Sequence, residues 1–281
     1  MNDINKSPAH TRRRTAATFE RAGSRIHYWT SGGDDGPTVI CIHGVTLDHG
    51  TWDGQVPALL DAGYRVITWD LRGHGASRPM GEGLSIHLAT QDLKALLDKT
   101  EVARSVLVGQ SFGGSVAQEF LRLYPDRVSA LVLVGAPELG HRYPLQHRLF
   151  GRTRPLVLRL WPERHLRRTI PAFMSAKPEV QRYVAEANQA LSKADFVAVT
   201  RAALEGMLGY DRAEELDVPV LLTHGENEAA WLVGMLRSWA ASDALVTCHP
   251  VPGAGHLANH DSPTAFNETL IGFLGRLPIS G

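Results

Sequence analysis

Hydrophobic residues fall into short, nearly continuous runs separated by longer stretches with helical spacing. The runs Thr38–Ile42, Arg65–Trp69 and Ser105–Val108 are largely apolar, which is typical of strands buried on both faces of a parallel sheet. Ile86–Lys99 instead carries its leucines on one helical face, which predicts an amphipathic helix. Strands that alternate with helices predict an α/β fold with a mostly parallel, doubly wound sheet and right-handed crossovers.

The same pattern continues on both sides of these elements. Ala17–Ala22 and Arg25–Trp29 predict a hairpin around Gly23. Further strands are predicted at Val128–Val134, Pro219–Thr223 and Leu245–Val251, and further helices at Trp52–Leu60, Ala230–Ala241 and Thr264–Leu274.

The alternation breaks after Pro137. From Glu138 to about Asp211 the chain has helical periods and no convincing strand. This predicts a helical insertion that covers the carboxyl edge of the sheet. The predicted parts are a disordered tail (1–16), an α/β core (17–137 and 212–281) and a helical cap (138–211).

A glycine-rich turn follows the run Ser105–Val108. It reads Gly109-Gln110-Ser111-Phe112-Gly113, a G-x-S-x-G motif in strand–turn–helix context that is typical of a nucleophile elbow. Because the glycines remove side chains that would collide in so tight a turn, the serine can adopt a strained backbone conformation. Ser111 is therefore the candidate nucleophile. The N–H of Phe112, at the helix N-terminus, is a candidate oxyanion donor.

A hydroxyl nucleophile needs a base, and His256 is the candidate. It ends the loop Gly253-Ala254-Gly255-His256, between the last predicted strand and the last predicted helix. The glycines let the backbone swing the imidazole over the sheet edge. The sequence has 13 histidines, so being a histidine is not enough to identify the base. His256 is distinguished by its position in this loop.

The carboxylate that orients the base is expected after the strand Pro219–Thr223, because parallel sheets present ligand-binding groups at the carboxyl ends of strands. The loop there offers Glu226, Asn227 and Glu228. Glu228, three residues past a glycine, is favoured. Glu138, after an earlier strand, is the displaced alternative. Any of these glutamates could instead be a solvated loop charge.

The loop after Thr38–Ile42 is expected to complete the site. The N–H of Val45 is the predicted second oxyanion donor, beside that of Phe112. The candidates for substrate contact around this loop are His43, His49 and Trp52. For His43, a hydrogen bond that shapes the loop is the favoured interpretation.

The length and composition of the chain limit the classes of function that it can have. A chain of 281 residues, 43% of them hydrophobic, suits one α/β domain with an insertion. Its formal net charge of zero gives no sign of a nucleic-acid partner. Cys41 and Cys248 are too few for a disulfide framework, which predicts buried, reduced thiols in a cytoplasmic protein. No apolar run has the length of a membrane span, so no stable membrane insertion is expected.

One local charge pattern departs from this balance. Between Arg142 and Arg168 the chain has eight arginines and one acid, Glu163, with apolar residues interleaved. The favoured interpretation is an amphipathic cap helix whose arginines face water. The alternatives are a basic lid that attracts anionic substrates and a surface that rests on a membrane.

Four motifs occur in order and at compatible spacing: His43-Gly44, Asp70-x-Arg72-Gly73-x-Gly75-x-Ser77, Gly109-Gln110-Ser111-Phe112-Gly113-Gly114 and Gly253-Ala254-Gly255-His256. On these motifs the chain resembles the α/β-hydrolase superfamily, in its capped branch of esterases, lactonases and carbon–carbon bond hydrolases. The resemblance covers about residues 18–137 and 212–276. It implies the α/β-hydrolase fold and a triad in the order serine, acid, histidine. The Asp70 motif is interpreted as structural.

Two features refine the resemblance. The acid in this branch is usually aspartate, so Glu228 departs from the pattern by one methylene. Haloalkane dehalogenases and epoxide hydrolases of this fold have aspartate at the elbow, whereas Ser111 suits acyl chemistry.

The resemblance implies a serine hydrolase that cleaves a small-molecule carboxylic ester or lactone, with no metal and no organic cofactor. The rival interpretations on the same triad are a carbon–carbon bond hydrolase, an acyltransferase, a cofactor-free lyase, a perhydrolase and a ligand-binding receptor with slow turnover. A homodimer is compatible with the sequence, and no nucleic-acid partner is expected.

Overall fold

In a computed structural model of the chain, the described residues are 14–143, 153, 156, 157, 159–210 and 216–278, with Leu166 and Met207 described by their backbone alone. The strands are β1 Thr15–Arg21, β2 Ser24–Ser31, β3 Thr38–Ile42, β4 Arg65–Trp69, β5 Ser105–Gln110, β6 Val128–Val134, β7 Val220–Gly225 and β8 Val246–Val251. They form one sheet in the order β1-β2-β4-β3-β5-β6-β7-β8. β2 pairs antiparallel with β1 and β4, and every other pairing is parallel. The predicted mostly parallel, doubly wound sheet is confirmed.

The described helices follow the predicted order along the chain, except that the short helix α8 was not predicted. They are α1 Val56–Asp61, α2 Ile86–Lys99, α3 Phe112–Leu123, α4 Glu163–Met174, α5 Pro178–Gln189, α6 Lys193–Gly209, α7 Ala230–Ser242, α8 Ala258–Asp261 and α9 Pro263–Leu274. The bounds of α2 match the prediction because its signals are local. Ser85 Oγ accepts the N–H of Leu88 at its start, and the leucines face the core.

The predicted helix Trp52–Leu60 is wrong in its bounds. The structure has a 3₁₀ turn over His49–Trp52, started by Asp48, whose carboxylate accepts the N–H of Gly50. α1 then begins separately at Val56. Glycine within the segment favours a break, since it costs about 1 kcal/mol in a helix interior.

The N-terminal boundary also differs from the prediction. Thr15 and Ala16 belong to β1 and pair with Thr30 and Trp29, although they were assigned to the disordered tail. Residues 1–13 of that tail lie outside the described residues, as does much of the arginine-rich stretch between 144 and 158.

Both faces of the sheet are covered, which explains the continuous hydrophobic runs. On β3, Ile40 and Ile42 pack on the side of α2, α3 and α7, while Val39 and Cys41 pack on the side of α1 and α9. Burial raises the pKa of the Cys41 thiol, which therefore stays protonated and inert. Cys248, predicted to be buried, is half-buried on the edge strand β8.

The helices α4, α5 and α6 lie between β6 and β7 in the chain. Within the described part of the span 138–211 no strand occurs. The limits of a separate cap stay a prediction. None of the described helices is long and apolar enough to cross a membrane.

Candidate active site

Ser111 stands at a strained turn between β5 and α3. Its φ of 51° and ψ of −115° lie in a region that non-glycine residues rarely adopt. A Cβ on Gly109 would come within 2.5 Å of the Gly113 carbonyl oxygen, so the turn requires glycine there. The N–H of Ser111 donates to the Val134 carbonyl at 2.9 Å, which ties the turn to β6. Such strain costs about 1–3 kcal/mol and is concentrated at functional sites.

Ser111, His256 and Glu228 line one cavity of about 560 Å³. His256 Nδ1 lies 2.7 Å from Glu228 Oε2, and the two side chains are 12% and 4% exposed. The Ser111 side chain does not cap its helix. Among the described residues, no hydrogen bond joins Ser111 to His256. Bonds of this kind often tighten only when substrate is bound.

The Glu228 carboxylate uses both oxygens. Oε1 accepts the N–H of Ala229 at 2.8 Å, and Oε2 faces the His256 imidazole. Burial acts to raise the pKa of Glu228, but the hydrogen bond and charge of His256 outweigh it, so the pKa is lowered. An ionised acceptor at Nδ1 favours the tautomer with the proton on Nδ1, which leaves Nε2 as an acceptor.

The three glutamates that were candidates for the orienting acid have different partners in the structure. Glu226 accepts the N–H of Gly253 at 3.0 Å at the surface. Glu138, whose pKa is raised by burial, lies 3.8 Å from His141 Nδ1. Of these glutamates, Glu228 is the one in contact with the His256 imidazole.

Gly135 keeps room for the His256–Glu228 pair. It has a φ of +56°, and a Cβ there would lie 3.2 Å from both Glu228 Oε2 and His256 Nδ1. Any larger residue would press on both partners, so the end of β6 shapes the pair without contributing a functional group.

Two backbone N–H groups are available beside Ser111. Val45 and Phe112 both line the cavity. Phe112 is the first residue of α3, where an N–H has no partner within the helix. Among the described residues, neither N–H has a hydrogen-bond acceptor. Both N–H groups therefore stay candidate donors to an anion formed in this cavity.

The three predicted substrate contacts around this loop need correction, since none of them is among the described residues that line the cavity. His43 is fully buried: Nδ1 lies 2.7 Å from the Gly44 carbonyl oxygen, and Nε2 accepts the Leu71 N–H at 2.9 Å. Burial, as the largest cause, lowers the pKa of His43, which keeps the ring neutral. The favoured interpretation, that His43 shapes its loop, agrees with these contacts.

His49 and Trp52 are held by other parts of the structure. The His49 ring stacks on Trp29 at 3.5 Å between centroids, and its Nδ1 lies 2.8 Å from Asp70 Oδ1. Trp52 is fully buried in the core on the α1 and α9 side of the sheet. Neither ring direction follows from the sequence, because both depend on contacts with distant residues.

The Asp70 motif has structural contacts. Asp70 is fully buried and accepts the backbone N–H groups of His49 and Ala76, each at 2.7 Å. Arg72 makes two hydrogen bonds of 2.6 Å to the carboxylate of Asp92, and both side chains are buried. The motif thus ties neighbouring loops together, as its structural interpretation expects.

The cavity walls are mainly apolar, and ten of the 22 described lining residues come from the predicted cap (138–211). The described lining residues of that part are Val157, Trp161, Thr169, Ile170, Phe173, Met174, Phe196, Thr200, Ala203 and Leu204. Thr46, Ser115 and Trp231 also line the cavity, and no local sequence signal marked them. The described lining contains no lysine or arginine, and Arg164 and Arg168 are exposed. Among the described residues, no group of three metal-binding side chains converges.

Comparisons with known proteins agree with the fold. The model of a family described as "Alpha/beta hydrolase family" matches residues 39–269. A putative carbamate hydrolase of Variovorax paradoxus (strain S110) is 30% identical over 266 residues, covering 91% of this chain and 98% of that protein. Epoxide hydrolase A of Mycobacterium tuberculosis is 40% identical over 127 residues, 44% of this chain and 39% of its own length.

A solved structure shares the fold over nearly the whole chain. It is a thermophilic esterase from Thermogutta terrifontis, with a TM-score of 0.79 and 22% identity. The match covers 94% of this chain and 98% of the esterase. At this identity the likeness shows the fold alone.

Proposed function

We propose that this chain, which belongs to the alpha/beta hydrolase family, is a serine hydrolase that cleaves a carboxylic ester or lactone through an acyl-enzyme. One observation carries the proposal. The buried His256–Glu228 pair and the serine of a strained elbow line the same cavity. A nucleophile, a base and a group that orients the base are the parts that acyl transfer requires.

The mechanism assigns one role to each group. Ser111 Oγ attacks the substrate carbonyl carbon while His256 Nε2 takes its proton. The N–H groups of Val45 and Phe112 stabilise the oxyanion, and removal of one such donor costs about 3 kcal/mol of barrier in other enzymes. His256 returns the proton to the leaving alkoxide. Water, deprotonated by His256, then attacks the acyl-enzyme, and His256 returns that proton to Ser111 Oγ as the acid is released, while Glu228 holds the imidazole throughout.

The residue at the elbow favours esters over epoxides. A carboxylate that opens an epoxide forms an ester, which water can cleave afterwards. The same attack by Ser111 would form an ether, which a base and water do not hydrolyse. Acyl transfer instead gives an ester on Ser111 that the same His256 can resolve.

The lining of the cavity favours a neutral, apolar substrate. The aromatic and aliphatic side chains of the insertion suit an alkyl or aromatic acyl group. The carboxylate of Glu228 is already paired with His256. A carbamate is a second candidate on the same chemistry, because the relative from Variovorax paradoxus matches nearly full length and its printed description is a putative carbamate hydrolase.

The test compares Ser111→Ala with Ser105→Ala. Ser105 is a buried serine at the opposite end of the same strand, so it controls for loss of a hydroxyl in β5. We expect Ser111→Ala to lower p-nitrophenyl butyrate turnover by roughly 10⁶-fold, as loss of a triad serine does elsewhere. Ser105→Ala should keep it. A fluorophosphonate should label the wild type and not Ser111→Ala.

The following results distinguish the proposed function from its rival interpretations. Full turnover by a folded Ser111→Ala variant overturns the proposal. A single burst with no further turnover indicates a receptor. Product analysis with an added alcohol distinguishes a hydrolase from an acyltransferase, and a panel of esters, lactones, carbamates and diketones sets the bond that is cleaved.

A further inference from the structure

The loop that carries His256 is held by a carboxylate that the proposed triad does not use. We propose that Asp261 is a positioning residue, which fixes the His256 loop to the segment 174–177 of the helical insertion. The inference rests on the proposed function, because it assigns Asp261 a role through His256. It concerns the placement of the base, not a contact with substrate.

Asp261 is buried and uses both carboxylate oxygens. Oδ2 accepts the N–H of Gly255 at 2.7 Å, and Oδ1 accepts the hydroxyl of the buried Ser175. The backbone carbonyl of Asp261 accepts Lys177 Nζ. One residue therefore connects the position directly before His256 to two residues that follow α4.

The loop needs this support. It contains Gly253 at a φ of +65° and Gly255, and glycine backbones populate many conformations unless contacts restrict them. The N–H of Leu257, directly after His256, donates to the Met174 carbonyl at 3.3 Å. His256 is thus flanked on both sides by hydrogen bonds that hold its loop. On one side the partner is Asp261 of α8, and on the other side it is Met174 at the end of α4.

The same contacts link the base to the wall of the cavity. Phe173 and Met174, at the end of α4, line the cavity, and the Phe173 ring lies 6.1 Å from the His256 ring. Because Asp261 holds Ser175 and Gly255 together, the spacing between this wall and the imidazole is fixed. An error of about 1 Å in such placement costs on the order of 100-fold in rate.

The experiment compares Asp261→Asn with Asp243→Asn. Asp243 also accepts a backbone N–H, that of Leu245 at 2.9 Å, in the loop before β8, so it is a matched control outside the cavity lining. For Asp261→Asn we expect kcat for p-nitrophenyl butyrate, per site titrated with fluorophosphonate, to fall about 100-fold. KM should stay unchanged. Asp243→Asn should match the wild type in both constants.

A second comparison excludes a purely structural effect. In a His256→Ala background we expect slow labelling by the fluorophosphonate. Adding Asp261→Asn should not lower that labelling rate further, because Asp261 is proposed to act through His256. The inference is overturned if Asp261→Asn lowers the labelling rate by the same factor with His256 present and with His256→Ala. It is also overturned if Asp261→Asn keeps the wild-type kcat per titrated site. If Asp261→Asn does not fold, Ser175→Ala and Lys177→Met test the same link. Each should lower kcat severalfold at constant KM, and unchanged kcat in both overturns it.

Failure of this inference is distinct from failure of the proposed function. The proposed function fails if Ser111→Ala and His256→Ala keep their turnover. If those two variants lose turnover while Asp261→Asn keeps its kcat, the serine hydrolase stands and Asp261 has no role through His256.

Discussion

Two histidine–carboxylate pairs lie at the carboxyl edge of the same sheet, and their distances are almost equal. His49 Nδ1 lies 2.8 Å from Asp70 after β4, and His256 Nδ1 lies 2.7 Å from Glu228 after β7. In both pairs burial acts to raise the pKa of the carboxyl group, but the hydrogen bond to the histidine, together with nearby charges and a backbone N–H, outweighs burial and lowers that pKa. Neither the distance nor the shifted pKa distinguishes them.

The surroundings distinguish the two pairs. His49 stacks on Trp29, and Asp70 also accepts two backbone N–H groups, so the first pair is built into a turn. His256 lines a cavity together with Ser111. A histidine–carboxylate contact is thus a common structural device. It can serve catalysis when the second ring nitrogen faces a nucleophile and room for a substrate.

The largest expected effect separates the two histidines. His256→Ala removes the proposed base and should lower kcat by about 10⁶-fold, as removal of the triad histidine does in a well-studied protease. His49→Ala removes a stacked ring and should lower stability by about 1 kcal/mol while kcat is kept. Steady-state kinetics with p-nitrophenyl butyrate and urea unfolding measure both. A loss of turnover in His49→Ala that matches that of His256→Ala would contradict the comparison.

The second effect separates the two carboxylates. Glu228→Gln disturbs the tautomer and orientation of His256, for which a fall in kcat of about 10⁴-fold is expected. Asp70→Asn leaves buried donors poorly paired and should cost about 1–3 kcal/mol of stability, with little change in kcat per folded molecule. Active-site titration corrects for the folded fraction. If Asp70→Asn lost the larger factor in kcat, the assignment of the two pairs would have to be reversed.

The smallest effect is a pH dependence of stability. Because folding lowers the pKa of Glu228, its ionised form stabilises the fold above the unfolded pKa of about 4.3, and this contribution is lost as the pH falls through the lower folded value. The free energy of unfolding should therefore differ most between wild type and Glu228→Gln near pH 6, and less below about pH 4. Urea titrations across this range measure the difference, and a constant difference would refute the assigned sign.

Prediction from sequence succeeded where the signal was local. The helix Ile86–Lys99 was predicted with the bounds that the structure shows, because its apolar face repeats within the segment. The elbow was located because the glycines around Ser111 set the turn by themselves. The segment Trp52–Leu60 was predicted as one helix, whereas Asp48 caps a separate 3₁₀ turn that ends at Trp52.

Prediction failed where side-chain direction depends on distant contacts. His43, His49 and Trp52 were expected near substrate, yet the structure turns them towards Leu71, Asp70 and the core. Asp261 carried no signal, because its partners Gly255 and Ser175 meet it only in the folded chain.

The sequence alone determined which groups are candidates for the reaction, because the tight glycine turn around Ser111 and the loop before His256 are encoded within a few residues. The tertiary structure decided which carboxylate reaches His256 and what surrounds them. Glu228 and His256 are 28 positions apart on loops that follow neighbouring strands, and the strand order sets their distance. Ten of the 22 described lining residues come from the predicted cap, whose packing no local pattern specifies.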